Sequence, residues 1–304
     1  MDVTRRQMLK MIAATGVVVA APSLTDIAMA AADPRVVAFK GEQAATVRKI
    51  VERLGGIGKF ISKGDKVVIK PNMGFATAPL RSSNTDTVVI RTLAELALEA
   101  GAKQVQVLDN PVHPAPLCKV RSGIVEALAG LDDVFVQWVK NEKFFGDVVI
   151  PNGRQLKRTQ VMKAILECDA LINAPMAKSH GGAIVSMGLK NWMGAVKNRQ
   201  EWHSTFNMHQ AIADFGTYIY NEKRLKFTIL DATRVLATGG PGGPGEVRHL
   251  QTIIGGFDPV AIDSFGLSLS SWNGKNYKPH QIPYLKIAEE MGLGSSDLSN
   301  LRSA

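Results

Sequence analysis

Five apolar runs in this chain end in a similar way, and this repetition constrains the fold more than any other feature. The runs are VIKPN at 68–72, VLDNP at 107–111, LINAP at 171–175, ILDAT at 229–233 and IIGGFDP at 253–259. Each run has the length and apolar content of a buried strand. Helical patterns lie between them. Thr85 or Asp86 caps one that reaches Ala100, and further helices are predicted at 118–129 and 158–167. This alternation predicts an α/β fold with a mostly parallel sheet flanked by helices.

The ends of these runs carry the polar residues from which we predict a ligand cleft. Ligands in open α/β sheets bind outside the carboxyl ends of the strands. Polar residues also begin ordinary loops, but five such endings in one chain favour a shared cleft. The residues predicted to gather at this edge are Lys70, Asn72, Asp109, Asn173, Asp231 and Asp258, beside Lys178 and His180.

The segment 171–197 holds the largest concentration of chemically useful side chains. Its first strand ends at Pro175, which cannot continue a ladder of backbone hydrogen bonds. We therefore predict that residues 178–182, KSHGG, form a loop and that a helix begins after the two glycines. Backbone N–H groups at a glycine-rich helix start favour anions.

Each polar residue of the predicted cleft has a candidate role. Lys178 and His180 are the candidate catalytic residues, and the neighbouring cation should lower the pKa of His180 and keep it neutral. A hydrogen-bonded loop histidine is the alternative. Asp109 and Asp231 are candidate metal ligands, since oxygen-rich sites suit Mg²⁺ or Ca²⁺. The candidate cofactor-binding residues, which would hold or orient phosphate or carboxylate groups, are Lys70, Asn72, Asn173, Lys190 and Asn191.

A glycine-rich stretch, TGGPGGPG at 238–245, contains the spacing G-x-G-x-x-G. It is not a dinucleotide-binding motif, because two prolines interrupt it, no strand directly precedes it and no helix opens after it. We predict a binding loop or lid that places Gly240 and Gly242 at the cleft. A plain connector is the alternative.

Composition excludes several classes of protein. The two cysteines, Cys118 and Cys168, form no C-x-x-C motif, which argues against an iron–sulfur cluster or a structural zinc on the chain's own thiols. Whether they pair with each other stays open. The formal charge of +9 suits an anionic ligand. Because the basic residues are dispersed and lack interleaved aromatics, the sequence argues against nucleic-acid binding.

The first 30 residues are typical of an export signal. Arg5 and Arg6 precede an apolar segment from Met11 to Ala21, a pattern that resembles a twin-arginine (Tat) signal. Ala28-Met29-Ala30 fits a cleavage site, so we place the cut after Ala30. A retained anchor is the alternative. We thus predict a signal at 1–30, a single α/β domain at 31–304, a periplasmic location and the Tat translocase as a partner.

A set of motifs resembles one known family. The motifs are Lys70-Pro71-Asn72, Asp109-Asn110-Pro111, Lys178-Ser179-His180, Leu189-Lys190-Asn191, the Gly240-Pro241 loop and Asp258-Pro259-Val260-Ala261-Ile262-Asp263. In this order, over 67–267, they resemble the family of domains of unknown function numbered 362. The resemblance implies no settled reaction. Some relatives carry ferredoxin-like cysteine motifs and many occur near redox proteins, but this chain lacks those cysteines.

Three functions fit the predicted cleft. The first is an exported protein of redox or metal metabolism that binds an anionic cofactor or substrate, with a divalent metal or a phosphate-bearing cofactor as candidates and periplasmic redox proteins as candidate partners. The second is a non-catalytic periplasmic binding or cofactor-delivery protein. The third is a hydrolase or isomerase that depends on a divalent metal.

Overall fold

The computed structural model describes residues 29–30 and 36–299. The twin arginines and the apolar segment lie outside these residues, so the export signal stays a prediction. Within the described part, no helix is long and apolar enough to cross a membrane.

Strands and helices alternate along most of the chain. The strands are β1 (Met29–Ala30), β2 (Val36–Lys40), β3 (Lys66–Pro71), β4 (Gln104–Asp109), β5 (Val134–Trp138), β6 (Phe145–Val149), β7 (Arg158–Met162), β8 (Ala170–Ala174), β9 (Met176–His180), β10 (Ile184–Ser186), β11 (Leu225–Leu236) and β12 (Val247–Gly256). The α-helices are α1 (Gln43–Arg53), α2 (Thr87–Glu99), α3 (Ala115–Arg121), α4 (Ile124–Leu128), α5 (Lys163–Glu167), α6 (Gly188–Asn191), α7 (Glu201–Ser204), α8 (Met208–Ile219), α9 (Pro259–Ser268) and α10 (Pro283–Glu290). Short 3-10 helices lie at Ile57–Lys59, Pro79–Arg81, Glu142–Phe144, Trp192–Ala195 and Pro279–Gln281.

Within the described residues, one ten-stranded sheet organises the fold. Its main path runs β1-β2-β12-β11-β8-β3-β4-β5. The pairs from β11 through β8, β3 and β4 to β5 are parallel. On the other side of β11, the strands β12, β2 and β1 pair antiparallel. The predicted fold class, a mostly parallel α/β sheet flanked by helices, is confirmed.

Helices cover both faces of this sheet. Along β3, Val68 packs into one buried cluster while Val67 and Ile69 pack into another, as the twofold alternation of a strand requires. The helices α1 and α2 supply the second cluster, and α8, α9 and α10 supply the first. Helix α2 forms as predicted, because the carboxylate of Asp86 caps it by accepting the N–H of Val88 at 2.9 Å.

The loop predicted at 178–182 is wrong. Lys178 and His180 lie in strand β9, because Pro175 interrupts the sheet for a single residue and its carbonyl still accepts the N–H of Asp231 at 2.9 Å. The two glycines form a turn into β10 rather than the start of a helix, and α6 begins only at Gly188. The predicted anion site at a glycine-rich helix start is therefore absent from this segment.

Two predicted helices also differ. The pattern at 158–167 folds as strand β7 followed by the short helix α5, because β7 pairs antiparallel with β6. The helix predicted at 118–129 is broken into α3 and α4 at Gly123, whose φ of +72° is a left-handed conformation that suits glycine.

Direction explains why Asp258 does not join the predicted cleft. Strand β12 runs antiparallel to β11, so its carboxyl end points toward the opposite edge of the sheet. Asp258 instead caps α9, where its carboxylate accepts the N–H of Ala261 at 2.8 Å.

Candidate functional site

A cavity of about 310 Å³ lies at the carboxyl ends of the parallel strands β3 and β4. It occupies the edge where the sequence predicts a cleft. The predicted site residues that line it are Asn72, Asp109, Lys178, His180, Lys190 and Asn191. Residues that the sequence did not predict also line it, among them Phe75, Met193, Arg199 and His203.

Lys70 and Asp109 form a buried ion pair at this edge. The Nζ atom of Lys70 lies 2.9 Å from Oδ1 of Asp109, and Lys70 has no exposed surface. Nζ also donates to the carbonyl of Pro71 at 2.6 Å. Burial lowers the pKa of Lys70, and the carboxylate of Asp109 opposes this effect. The carboxylate of Asp109 therefore balances the charge of Lys70, and Lys70 does not line the cavity. This differs from the prediction that Lys70 would hold an anionic group.

Asn191 joins the ion pair to the neighbouring amides. Its Nδ2 donates to Oδ1 of Asn173 at 2.8 Å, and its Oδ1 accepts from Nζ of Lys70 at 3.1 Å and from Nδ2 of Asn72 at 3.2 Å. Asn173 is fully buried and donates to the carbonyl of Gly188 at 3.2 Å. Asn173 thus positions Asn191 through this hydrogen bond and does not itself line the cavity.

Lys178 is almost fully buried, with 1% exposure, and its amine has several partners. Nζ donates to Oδ1 of Asn72 and to the carbonyl of Ser83, and it lies 4.3 Å from the ring centroid of Phe75. Burial and then the charge of Lys190 lower its pKa well below the ordinary value. The oxygen acceptors and the ring face favour the ammonium and oppose that effect.

Lys190 has a different environment from Lys178. Among the described residues, the hydrogen-bond partner of its Nζ is the Sδ atom of Met193 at 3.3 Å. Burial, followed by the charge of Arg199, lowers the pKa of Lys190 to about 7. Arg199 is held by the carbonyls of Asn110 and Pro111. Three basic side chains, from Lys178, Lys190 and Arg199, therefore line one cavity.

The imidazole of His180 is held in one tautomer. Its Nδ1 accepts the N–H groups of Gly182 and Ala183, both at 3.1 Å, so the proton of the neutral ring is on Nε2. Burial and the charges of Lys190 and Lys178 lower its pKa far below the ordinary value. His203 stacks beside it with ring centroids 6.5 Å apart. His180 thus offers a neutral N–H donor at the cavity.

The glycine-rich loop packs against β9. The N–H of Gly240 donates to Oγ of Ser179 at 2.9 Å, and Oγ of Ser83 donates to the carbonyl of Gly242 at 3.0 Å. A Cβ at Gly240 would lie 1.9 Å from the carbonyl oxygen of Ser179, so the close approach requires glycine. Gly240 and Gly242 thereby place Pro241, which lines the cavity.

Sequence comparison confirms the family. A family model described as "Domain of unknown function (DUF362)" matches residues 67–268, which is most of the chain. The chain belongs to the DUF362 family. The matched residues contribute most of the cavity, from the end of β3 to the glycine-rich loop.

This DUF362 chain is similar in sequence to one described protein and has a weaker likeness to two solved structures. The "Thylakoid-associated protein sll1697" of Synechocystis sp. is 27% identical over 260 residues, which cover 83% of this chain and 76% of that protein. The lactate racemase apoprotein from Thermoanaerobacterium thermosaccharolyticum gives a TM-score of 0.45 at 16% identity and covers 69% of this chain. A protein from Thermotoga maritima gives 0.45 at 14% identity and covers 84% of this chain. The DUF362 chain spans 52% and 60% of the lengths of these two solved structures.

The two predicted metal ligands of the DUF362 chain are not arranged as a metal site. Asp109 lines the cavity, but its Oδ1 faces Lys70 and its Oδ2 accepts the N–H of Met73 at 2.9 Å. Asp231 is fully buried and accepts the N–H groups of Asp86 and Thr233. In residues 29–30 and 36–299, no group of three or more His, Cys, Asp or Glu side chains could hold a metal ion. The donor set therefore does not fit a metal held by the protein alone.

Other predictions about single residues have mixed outcomes. Cys118 and Cys168 are both buried and free. Asp263 accepts the N–H groups of Gly188 and Leu189 at the start of α6. Nothing in the sequence pointed to Arg199, since it lies far from every predicted strand end. His203 is exposed, yet it lines the cavity.

Proposed function

We propose that the cavity binds a small anionic molecule that carries a phosphate or carboxylate group. One observation carries this proposal: Lys178, Lys190 and Arg199 line a single cavity. Among the described residues that line the cavity, the acidic one is Asp109, and Lys70 already balances its charge. A buried cation without a counter-charge is costly, so an anion should favour the charged forms of these basic groups and pair with them.

The neutral side chains at the cavity suit such a ligand. The Nε2–H of His180 can donate to an anionic oxygen without adding a charge to the site. The volume of about 310 Å³ suits a small molecule. We propose no metal bound by the protein alone, since the donor set does not fit one; a divalent ion would have to arrive with the ligand. This weighs against a metal-dependent hydrolase or isomerase.

We also propose that the protein acts in the periplasm. The basis is the twin-arginine pattern and the predicted cleavage after Ala30. The Tat translocase would be its partner during export. Periplasmic redox proteins are further candidate partners, and this proposal rests on the family resemblance alone.

Binding can be tested by calorimetric titration with sulfate and with phosphate. The wild type should bind either anion, and Lys178→Met and Lys190→Met should weaken binding by roughly tenfold or more, since each removes a charge-assisted contact. Lys103→Met is the matched control, because Lys103 is exposed beside the amino end of β4. Equal binding by all four proteins would contradict the proposal. A change in melting temperature alone would not decide, since sulfate stabilises folded proteins in general.

An enzyme and a non-catalytic carrier would use this cavity differently. Native mass spectrometry of protein from its own periplasm would identify a bound ligand by its mass. With that ligand, a variant lacking the His180 imidazole distinguishes the two. An enzyme would lose turnover and keep affinity, whereas a carrier would change only its affinity.

A further inference from the structure

The amines of Lys178 and Lys190 both lie at the cavity, but their hydrogen-bond partners differ. An ammonium group has three N–H donors and no acceptor. At Lys178 these donors face the amide oxygen of Asn72, the carbonyl of Ser83 and the ring of Phe75. The amine of Lys178 therefore has a partner in each direction, and these partners favour its ammonium form although burial lowers its pKa.

Lys190 lacks such a set of acceptors. Lys190 is 8% exposed, and within the described part of the chain its Nζ is hydrogen-bonded to the thioether of Met193 alone. A thioether is a weak acceptor, so an ammonium at this position would leave buried donors without oxygen partners. Arg199 adds like-charge repulsion. Each of these features favours the neutral amine, whose lone pair is a nucleophile.

We propose that Lys190 is the reactive group of the cavity and forms an imine with a small aldehyde or ketone that also carries a carboxylate or phosphate group. This proposal rests on the proposed anion binding, because Arg199 would hold the anionic group of the substrate and the charge of Lys178 would add to the attraction. Lys190 would then meet its carbonyl carbon. Before an anion binds, burial and Arg199 also lower the pKa of Lys190 to about 7. A bound anionic group raises this pKa, so the neutral fraction and the labelling rate should increase with pH above 7.

The reaction is a condensation without oxidation or reduction. The lone pair on Nζ of Lys190 attacks the carbonyl carbon, a C–N bond forms and the carbonyl π electrons move to oxygen. The Nε2–H of His180 is suited to donate a hydrogen bond to that oxygen. A proton passes from nitrogen to oxygen to give a carbinolamine. Loss of one water then leaves the imine, so amine plus carbonyl gives imine plus water.

Reductive trapping tests this proposal directly. The full chain is treated at pH 7 with glyoxylate, a small aldehyde that carries a carboxylate, and with sodium cyanoborohydride. Peptide mapping then measures labelling at each lysine. We expect Lys190 to be labelled at least about tenfold faster than Lys103, with a rate that saturates with glyoxylate and falls when sulfate is added. Acetaldehyde, which lacks the anionic group, should label Lys190 without saturation.

Two comparisons separate this proposal from the proposed function. Lys190→Arg keeps the charge but removes the nucleophile, so it should keep sulfate binding and lose the fast label. If sulfate binds the wild type but Lys190 is labelled no faster than Lys103, the imine proposal is wrong and anion binding stands. If sulfate does not bind and the labelling of Lys190 is neither saturable nor preferential, both proposals are wrong. Peptide mapping of the wild type distinguishes these outcomes even if Lys190→Arg fails to fold.

Discussion

Nζ of Lys70 and Oδ1 of Asp109 lie 2.9 Å apart in a buried ion pair that joins the ends of β3 and β4. Gly194, from the 3-10 helix after α6, packs directly against both groups. A Cβ at Gly194 would lie 1.9 Å from Oδ1 of Asp109 and 2.8 Å from Nζ of Lys70. The wall of the cavity therefore depends on a residue without a side chain, and the ion pair couples that wall to the sheet.

We expect Gly194→Ala to destabilise the fold and distort the cavity. The added methyl group must displace the ion pair, and overpacking of this kind costs roughly 1–3 kcal/mol. Urea denaturation measures the change. Gly58→Ala is the matched control, because a Cβ at Gly58 meets nothing within 4 Å. Similar midpoints for the two variants would show that the ion pair moves aside without cost.

The ion pair itself gives a second prediction. Lys70→Met should destabilise the protein by about 3–5 kcal/mol, since it leaves the carboxylate of Asp109 buried and without a counter-charge. Adding Asp109→Asn to the same chain should recover part of this loss, because the buried carboxylate without a counter-charge is then removed. Urea midpoints of the single and double variants measure the coupling. A double variant as unstable as the sum of the two single variants would indicate that the groups act independently.

The position of Lys70 and Asp109 could be predicted from sequence, but their roles could not. Both follow predicted parallel strands, and the carboxyl ends of parallel strands share one edge. Nothing in the sequence shows that the two side chains neutralise each other. The direction of β12 could not be predicted either, because an apolar run has the same sequence pattern in a parallel and in an antiparallel pair. Asp258 was therefore assigned to the wrong edge.

The error at 178–180 has a physical cause as well. A proline normally ends a strand, and Pro175 does interrupt β8. The long strand β11 continues beyond that point and offers new pairing partners at Asp231 and Leu236, so the chain re-enters the sheet as β9. This return to the sheet depends on a partner strand about 55 residues later in the sequence, and local sequence patterns do not reveal that pairing.

Export gives a third prediction. Changing both Arg5 and Arg6 to lysine should leave the precursor in the cytoplasm, because the paired arginines are the feature that resembles a Tat signal. Cell fractionation and immunoblotting measure the distribution. Arg121→Lys, at an exposed residue of α3, is the control and should be exported normally. Undiminished export of the double variant would remove the Tat assignment.

The pH dependence of sulfate binding follows from Lys190. Its pKa is about 7 in the protein alone, and a bound anion should raise this pKa because it favours the ammonium. Below pH 7 the ammonium already exists, so binding requires no additional proton. Above pH 7 binding must take up a proton, so the affinity should fall by up to about tenfold per pH unit. Sulfate keeps its own charge over this range.

Calorimetry in two buffers with different ionisation enthalpies measures the proton uptake directly. The other charged or titratable side chains at the cavity are Asp109, Lys178, His180, Arg199 and His203. Burial lowers the pKa of both histidines, so they should stay neutral above pH 7. Burial also lowers the pKa of Lys178, so this amine can take up a proton as well. Lys190→Met should therefore reduce the pH slope, Lys178→Met should weaken binding, and Lys103→Met should change neither. If the slope of Lys190→Met equals that of the wild type, another group takes up the proton, and Lys190 is already an ammonium before the anion binds.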